Sequence, residues 1–273
     1  MIRRLNRLII ATPDLEAASA RVRQTLALPP GRCYAVPDIG AFTEELPFGD
    51  GVVQLLTPAG EGPVERFLRQ HGGGIYGVGV ETSSLAGSRL RIEQSGRQAH
   101  PLRLEGRELV CLKREQLPGM TVWFDEPGAT PAPGSGIAIS EITCLVEDRD
   151  AAAETYKRVF GPPIHTHRFE NEAYGYAATV LFYGERRLPG RIELARVTRP
   201  ETAMGRFWAK HGVSAYMATL EVEDFAGFLA ALDERGVRYS REPRSPQTTA
   251  YIHPSMLAGC FLGIVAAPGM QVP

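Results

Sequence analysis

The sequence predicts an α+β fold built from four similar modules, each with a strand, a helix and up to three further strands. The first observation behind this prediction is an internal repeat, which relates the two halves of the 273-residue chain. The second is the order of elements within each half. Strand-like runs follow one another after a helix, which is typical of α+β proteins and not of a doubly wound parallel sheet.

The repeat is clearest around a His-Gly pair. Residues 67–76 (FLRQHGGGIY) resemble residues 207–216 (FWAKHGVSAY) at an offset of 140. Residues 5–18 resemble residues 139–152 at an offset of 134. Because the matched segments keep their order, we interpret the drift in offset as loop insertions between equivalent elements.

A Pro- and Gly-rich stretch, DEPGATPAPGSG, separates the two halves and is typical of a linker. We therefore predict an N-terminal domain of two modules at residues 1–128, a linker at 129–137 and a C-terminal domain of two modules at 138–273.

In the first half, a β-rich run at 5–11 precedes a helix at 14–27, whose apolar residues recur at helical spacing. Asp14 is suited to cap this helix through its side-chain oxygen. The following elements are a strand at 51–56, a helix at 63–71, a strand at 75–81, a helix at 84–95 and strands at 108–112 and 120–125.

The second half repeats this order. The expected elements are a strand at 139–146, a helix at 148–160, strands at 163–168, 176–183 and 190–197, a helix at 200–210, a strand at 214–222, a helix at 224–235 and strands at 248–252 and 260–265. Gly96, Gly161 and Gly236 follow predicted helices and favour left-handed C-caps there.

Composition narrows the function. With 30 Lys and Arg against 31 Asp and Glu, the net charge of −1 argues against a basic nucleic-acid binder or a polybasic membrane-surface protein. No run approaches the roughly 18 apolar residues of a membrane span, and the short apolar run at 8–11 is not a signal peptide. Four widely spaced cysteines favour neither a disulfide scaffold nor a zinc site. We expect a reduced, cytoplasmic protein.

The opening segment at 5–17, with Pro13 and Asp14 after an apolar run, resembles the start of vicinal oxygen chelate proteins. This superfamily contains glyoxalases, bleomycin-resistance proteins and extradiol dioxygenases. Residues 54–81 and the Ile-His-Pro at 252–254 are similar to the methylmalonyl-CoA epimerase family. The resemblance implies βαβββ modules paired into two glyoxalase-like domains, each with a curled mixed sheet around a cavity and helices outside.

The resemblance also implies four metal-ligand positions in each pair of modules. They are occupied by Arg7, Gln54, Gly77 and Trp123 in the first half and by Glu141, Glu193, Met217 and Gly263 in the second. Gly, Met and Trp supply no hard oxygen or imidazole ligand, and an Arg repels a cation. We therefore expect that the usual metal is lost and predict no cofactor.

Glu141 and Glu193 are the predicted catalytic residues. Two carboxyl groups close together, or one in an apolar environment, have a raised pKa and can act as a general acid or base. The alternative is a pair of acids at the cavity mouth that are either solvated or paired with Arg168 or Arg191.

His165 and His167 are predicted substrate-binding residues, because spacing two on a strand puts both rings on one face. A metal site with the two glutamates and two exposed rings on the outer face remain alternatives. Tyr216 and Met217 are predicted to bind substrate beside a lost ligand position, with core packing as the alternative for Tyr216.

Arg7 and Gln54 are predicted to contact substrate in the first half. Arg7 would bind either a substrate carboxylate or an internal acid.

These observations predict a small-molecule enzyme without the usual metal. It would use carboxylate acid–base chemistry, of an isomerase, epimerase or lyase type, on a carbonyl-containing metabolite. One alternative is a metal-free protein that binds or sequesters a small molecule, such as a drug. The other is a metal-dependent glyoxalase or dioxygenase relative. A small-molecule ligand is the expected partner, and either a monomer or a homodimer is compatible with a chain of four modules.

Overall fold

The computed structural model of the chain describes residues 2–128, 130, 134–185, 188–245 and 247–267. The predicted linker at 129–137 therefore lies partly outside the described residues, at positions 129 and 131–133.

The described first half forms one mixed sheet with helices. Its elements are β1 (Ile2–Ala11), α1 (Leu15–Leu26), β2 (Arg32–Val36), β3 (Ala41–Phe48), β4 (Gly51–Pro58), α2 (Pro63–His71), β5 (Gly74–Thr82), α3 (Leu85–Gln94), β6 (His100–Leu104), β7 (Arg107–Leu112) and β8 (Thr121–Asp125). The strand order is β2-β3-β4-β1-β5-β8-β7-β6. Strands β1 and β4 pair in parallel, as do β5 and β8.

The second half repeats the arrangement. Its elements are β9 (Ile137–Leu145), α4 (Arg149–Phe160), β10 (His165–Asn171), β11 (Tyr176–Glu185), β12 (Leu188–Val197), α5 (Ala203–His211), β13 (Ser214–Val222), α6 (Phe225–Glu234), β14 (Tyr239–Arg241), β15 (Thr249–Ile252) and β16 (Phe261–Ala266). The strand order, β10-β11-β12-β9-β13-β16-β15-β14, matches that of the first sheet element by element. The predicted α+β fold class is confirmed.

The helix ends follow local side-chain chemistry. Asp14 accepts a hydrogen bond from the backbone N–H of Ala17, as predicted, and Asp148 caps α4 in the same way. Gly96 and Gly236 have positive φ angles of 77° and 65°, as expected of residues after a helix. Gly161 has φ 93° and ψ −179°, so the predicted left-handed C-cap is wrong at this position.

The sequence predicts strand-like runs between α1 and α2, but gives no bounds for β2 and β3, and it does not predict β6 and β14. Strand β3 contains adjacent glutamates, Glu44 and Glu45, followed by Pro47, which hides its strand character. Its pairing with β4 and the burial of both glutamates show that tertiary contacts override this local pattern.

The chain divides into two compact units. One contains Met1–Leu5, Gly77–Ala129 and Glu141–Tyr216, and the other contains Asn6–Tyr76, Thr130–Ser140 and Met217–Pro273. The division of the sequence into two domains at the linker stays a prediction. Among the described helices, none has the length and apolar character needed to cross a bilayer.

Helix α4 covers one face of the strands β11 and β12. Its buried residues are Ala152, Ala153, Tyr156, Val159 and Phe160. The Tyr156 hydroxyl donates a hydrogen bond of 2.7 Å to the carbonyl oxygen of Pro118 and lies 3.9 Å from the Cys144 Sγ atom. This packing leaves the opposite face of the same strands to carry the candidate site.

Candidate active site

The parallel pairing of β9 with β12 brings the two predicted catalytic residues together. The register places Arg191 beside Glu141 and Glu193 beside Thr143. Paired residues on neighbouring strands point to the same side of a sheet, and so do alternate residues on one strand. All four side chains therefore lie on one face, opposite the face that α4 covers.

The next two strands extend this face. Strand β11 places Val180 beside Glu193 and Phe182 beside Arg191. The outermost strand, β10, places His167 beside Val180 and His165 beside Phe182. We call this surface the carboxylate face, and its members are Glu141, Thr143, Arg191, Glu193, Val180, Phe182, His165 and His167.

Glu141 and Arg191 form a buried ion pair. The Arg191 Nε atom donates to the Glu141 Oε2 atom at 3.0 Å, and the two side chains are 1% and 8% exposed. Of the two arginines predicted as alternative partners of the glutamates, Arg168 and Arg191, the structure therefore confirms Arg191. Arg168 lies on the other face of β10 and binds Asp150 at 2.9 Å, so the alternative pairing with Arg168 is wrong.

Glu193 is buried beside that ion pair. Its Oε2 atom accepts a hydrogen bond of 2.6 Å from the Thr143 hydroxyl, and the Tyr176 hydroxyl also bonds the carboxyl group. Burial, followed by the charge of Glu141, raises the pKa of Glu193 to about 8, although these hydrogen bonds and Arg191 act in the opposite direction. Glu193 thus has the raised pKa that the sequence predicted for a carboxyl group in this environment.

Burial is the main cause of the raised pKa of Glu193, and the charges on this face add to it. One guanidinium, that of Arg191, faces two carboxyl groups, those of Glu141 and Glu193. Burying a second negative charge is costly, so a proton on Glu193 balances the cluster. A carboxyl group that titrates near neutral pH can both accept and return a proton during a reaction.

The two histidines lie on the same face of their strand, as predicted. The His165 and His167 ring centroids are 6.4 Å apart with planes inclined by 23°. Because the register places both on the carboxylate face, the outer-face alternative is wrong. Within the described part of the chain, no three His, Cys, Asp or Glu side chains converge as metal ligands. The structure thus does not assemble the hypothetical site of two histidines and two glutamates.

The equivalent face of the first half holds a hydrogen-bonded network around Arg7. The Arg7 side chain is fully buried, and its Nη1 atom donates to the Glu45 Oε2 atom at 2.9 Å and to the Gln54 Oε1 atom. The Gln54 amide donates in turn to the Thr43 hydroxyl at 3.0 Å. Arg7 therefore binds an internal acid, which was one of its two predicted partners.

Glu45 differs from Glu193 in the groups that donate hydrogen bonds to its carboxyl group. It accepts hydrogen bonds from Arg32 at 2.8 Å and from Tyr34 at 2.9 Å in addition to Arg7. Burial by itself raises the pKa of Glu45, but the charge of Arg7 and these hydrogen bonds together hold it below its ordinary value. Glu45 is thus held as an anion. The substrate-binding roles of Arg7 and Gln54 stay predictions.

Tyr216 and Met217 are neighbours in sequence with different surroundings. The Tyr216 ring meets Phe207 edge-on at 5.0 Å and packs against a buried cluster of Leu145, Ala178, Ala195 and Met204. The Met217 sulfur lies near Gly263, on the strand paired with its own. Substrate binding by these two residues stays a prediction, and the described contacts of Tyr216 are those of core packing.

Sequence reasoning missed Thr143 and Tyr176. Thr143 lies two residues after Glu141, so strand alternation places it on the same face and could have identified it. Tyr176 begins β11, and nothing in its local sequence connects it with Glu193. Only the register of the three strands shows that the two residues share a face.

Comparison with known proteins agrees with the observed fold. A family model described as Glyoxalase/Bleomycin resistance protein/Dioxygenase superfamily matches residues 141–252. An ethylmalonyl-CoA/methylmalonyl-CoA epimerase of Cereibacter sphaeroides is 38% identical over 98 residues, which cover 35% of this chain and 73% of that protein. The mitochondrial methylmalonyl-CoA epimerase of Mus musculus is 31% identical over 85 residues, and this chain spans 48% of its length.

Among solved structures, a variant of 4-hydroxymandelate synthase from Streptomyces coelicolor superimposes with a TM-score of 0.79. The match covers 100% of this chain and 95% of that chain. Because the sequence identity is only 16%, the match shows a shared fold and nothing more.

Proposed function

Because the chain belongs to the glyoxalase/bleomycin resistance protein/dioxygenase superfamily, we propose that it uses this fold for acid–base catalysis at a carbon atom next to a carbonyl group. The reaction class is isomerisation or epimerisation of a carbonyl-containing metabolite. The observation that carries the proposal is the protonatable Glu193 beside a buried Glu141–Arg191 ion pair. The name of the Cereibacter relative, an epimerase of CoA esters, makes thioesters the first substrates to test.

Glu193 is the proposed acid–base residue. In its ionised form it removes the proton from the α carbon of the substrate, and in its protonated form it returns the proton to the resulting enolate, which gives hydrogen exchange or isomerisation. Epimerisation requires in addition a proton donor on the opposite face of the enolate. A pKa close to the working pH gives a useful population of both forms. Thr143 holds the carboxyl group in position through its 2.6 Å hydrogen bond.

The enolate needs a partner for its negative charge. Arg191 carries a permanent positive charge on the same face, and Tyr176 supplies a hydroxyl. Burial and, after it, the charges of Glu193 and Glu141 raise the pKa of Tyr176, so that its hydroxyl remains protonated and can donate a hydrogen bond. Fixed donors that face developing charge are among the strongest contributors to catalysis.

The test is exchange of the α hydrogen for deuterium in D₂O, followed by mass spectrometry. The panel contains α-branched acyl-CoA thioesters, the same acids as N-acetylcysteamine thioesters and the corresponding 2-oxo acids. We expect the wild-type protein to exchange at least one class and Glu193→Gln to slow that exchange by about 10²- to 10⁴-fold. Glu170→Gln is the matched control, because Glu170 is exposed and lies on the other face of β10.

Exchange that stays at the buffer rate for the whole panel would refute the proposal, and so would full activity in the Glu193→Gln variant. Tight binding of a panel member without exchange would instead support the alternative of a small-molecule binding protein.

A further inference from the structure

The two halves of the chain place an arginine at the same level of the same pair of parallel strands. In the first half, the register pairs Arg7 of β1 with Val52 of β4. In the second half, the equivalent strands pair Glu141 of β9 with Arg191 of β12. The repeat thus aligns Arg7 with Glu141 and Val52 with Arg191, so the arginine comes from opposite strands in the two halves. The positive charge is kept at this level although the residue that supplies it is not.

Both guanidinium groups bind residues at the ligand positions that the resemblance implies. Arg7 donates to the Gln54 Oε1 atom, and Arg191 donates to the Glu141 Oε2 atom at 3.0 Å. The two arginine side chains are 0% and 1% exposed. The oxygen atoms that would coordinate a metal ion at these positions therefore accept hydrogen bonds from a buried cation instead.

A metal ion does not fit beside Arg191. A guanidinium keeps its proton in proteins, so its positive charge is permanent. Arg191 and Glu193 are alternate residues of β12, and Arg191 is paired with Glu141. A divalent ion bound by both carboxyl groups would therefore lie next to the guanidinium. Because salt screens buried charges little, the repulsion between the two cations would remain.

We infer that the Arg191 guanidinium takes the place of the superfamily's metal ion and is the fixed cation of the carboxylate face. Glu141 is its counter-ion, and its charge lies on the face that carries Glu193, where the proposed function requires a partner for the enolate. Only this use of the charge rests on the proposed function, whereas the competition between guanidinium and metal does not.

The inference predicts that the face becomes a metal site when the guanidinium is removed. The polar groups that then remain at this level, those of Glu141, Thr143 and Glu193, are all oxygen donors. Carboxylate and other oxygen ligands are those that Mn²⁺ prefers.

The test is a titration of the full chain with Mn²⁺ at neutral pH, in which electron paramagnetic resonance measures the free ion. Wild type is compared with Arg191→Ala. A unit charge about 4 Å from a divalent ion changes the affinity for that ion by about 30-fold even at the dielectric constant of water. Because Mn²⁺ must also displace the proton of Glu193, we expect Arg191→Ala to bind Mn²⁺ stoichiometrically with a Kd at least about 10-fold below that of wild type.

Three further variants locate the bound ion. Arg168→Ala is the matched control, because it removes an exposed arginine that binds Asp150 on the other face of β10, and it should not gain Mn²⁺ affinity. Adding Glu141→Gln to Arg191→Ala removes a ligand and should abolish the gain. Arg191→Gln removes the charge but keeps more of the side-chain volume, and it should gain affinity as Arg191→Ala does. Mn²⁺ should raise the Tm of both single Arg191 variants.

Equal Kd values for wild type and a folded Arg191 variant would overturn the inference. So would a wild-type protein that binds Mn²⁺ stoichiometrically and loses it in Glu193→Gln, because guanidinium and metal would then coexist.

Exchange of the α hydrogen by wild type, measured with and without EDTA, separates this inference from the proposed function. A rate that EDTA leaves unchanged supports both. A rate that EDTA abolishes and Mn²⁺ restores would reject the inference and leave the reaction class. A gain of Mn²⁺ affinity in Arg191→Ala, without exchange of any substrate by wild type, would leave the inference and reject the proposed function.

Discussion

Replacement of Glu193 by glutamine should change how the free energy of unfolding depends on pH. Glutamine resembles the protonated carboxyl group in shape and hydrogen bonding, but it does not ionise. In the folded protein the pKa of Glu193 is raised to about 8, whereas the same group in an unfolded chain titrates near 4.5. Between these values the folded state keeps the proton and the unfolded state has lost it.

The sign of the effect follows from this difference. Unfolding releases a proton in that interval, so the stabilisation associated with protonated Glu193 is fully present below about pH 4.5 and is lost as the pH rises through about 8. The slope is at most about 1.4 kcal/mol per pH unit. From about pH 5.5 to about pH 7.5, the wild-type protein should therefore lose about 2–3 kcal/mol relative to Glu193→Gln.

Urea unfolding at these two pH values measures the difference directly. Every other titrating group is common to both proteins, so the difference of differences measures the titration of Glu193 together with its effect on the neighbouring Glu141. Glu170→Gln should follow the wild-type protein, because Glu170 is exposed on the other face. Parallel pH profiles of wild type and Glu193→Gln would refute the raised pKa.

Three further substitutions test the buried networks, each by urea unfolding. Arg191→Met should cost about 3–5 kcal/mol because it leaves Glu141 buried without its cation, and adding Glu141→Gln should recover most of the loss. Arg7→Met should destabilise by a similar amount, and the deficit should shrink at acidic pH because burial then raises the pKa of Glu45. Tyr156→Phe should cost about 1–2 kcal/mol through the lost hydrogen bond to a buried carbonyl oxygen. Unchanged stability in any of the three would contradict the corresponding contact.

The repeated order of elements was predictable because it depends on local patterns. The predicted cap at Asp14 is confirmed, and Asp148 caps the equivalent helix of the second half, while Gly96 and Gly236 follow the third helix of each half with positive φ angles. Strands β2, β6 and β14 are short and have few buried residues, whereas β3 carries polar residues whose burial is decided by distant partners. The two glutamates of β3 are an example, since Glu45 is buried only because cations reach it from other strands.

The candidate site was predictable by position but not by interaction. Glu141, Glu193, His165 and His167 were singled out from the resemblance and from strand alternation, and the register places them on one face. Their hydrogen-bond partners depend on how four strands are aligned, and a shift of one residue would turn every side chain to the other face. Local sequence does not determine that alignment, which is why Tyr176 was not found.

The numbers of cations and carboxyl groups explain why the two halves differ in chemistry although they share a topology. In the first half, Glu45 is bonded by both Arg7 and Arg32, so two positive charges face one carboxyl group and keep it ionised. In the second half, Arg191 is the cation beside both Glu141 and Glu193. One positive charge stabilises one buried anion, and the second carboxyl group keeps its proton at a pH where an ordinary glutamate has lost it. A group that exchanges its proton near neutral pH is useful for catalysis, whereas a permanently ionised one serves structure, and this difference places the proposed chemistry in the second half.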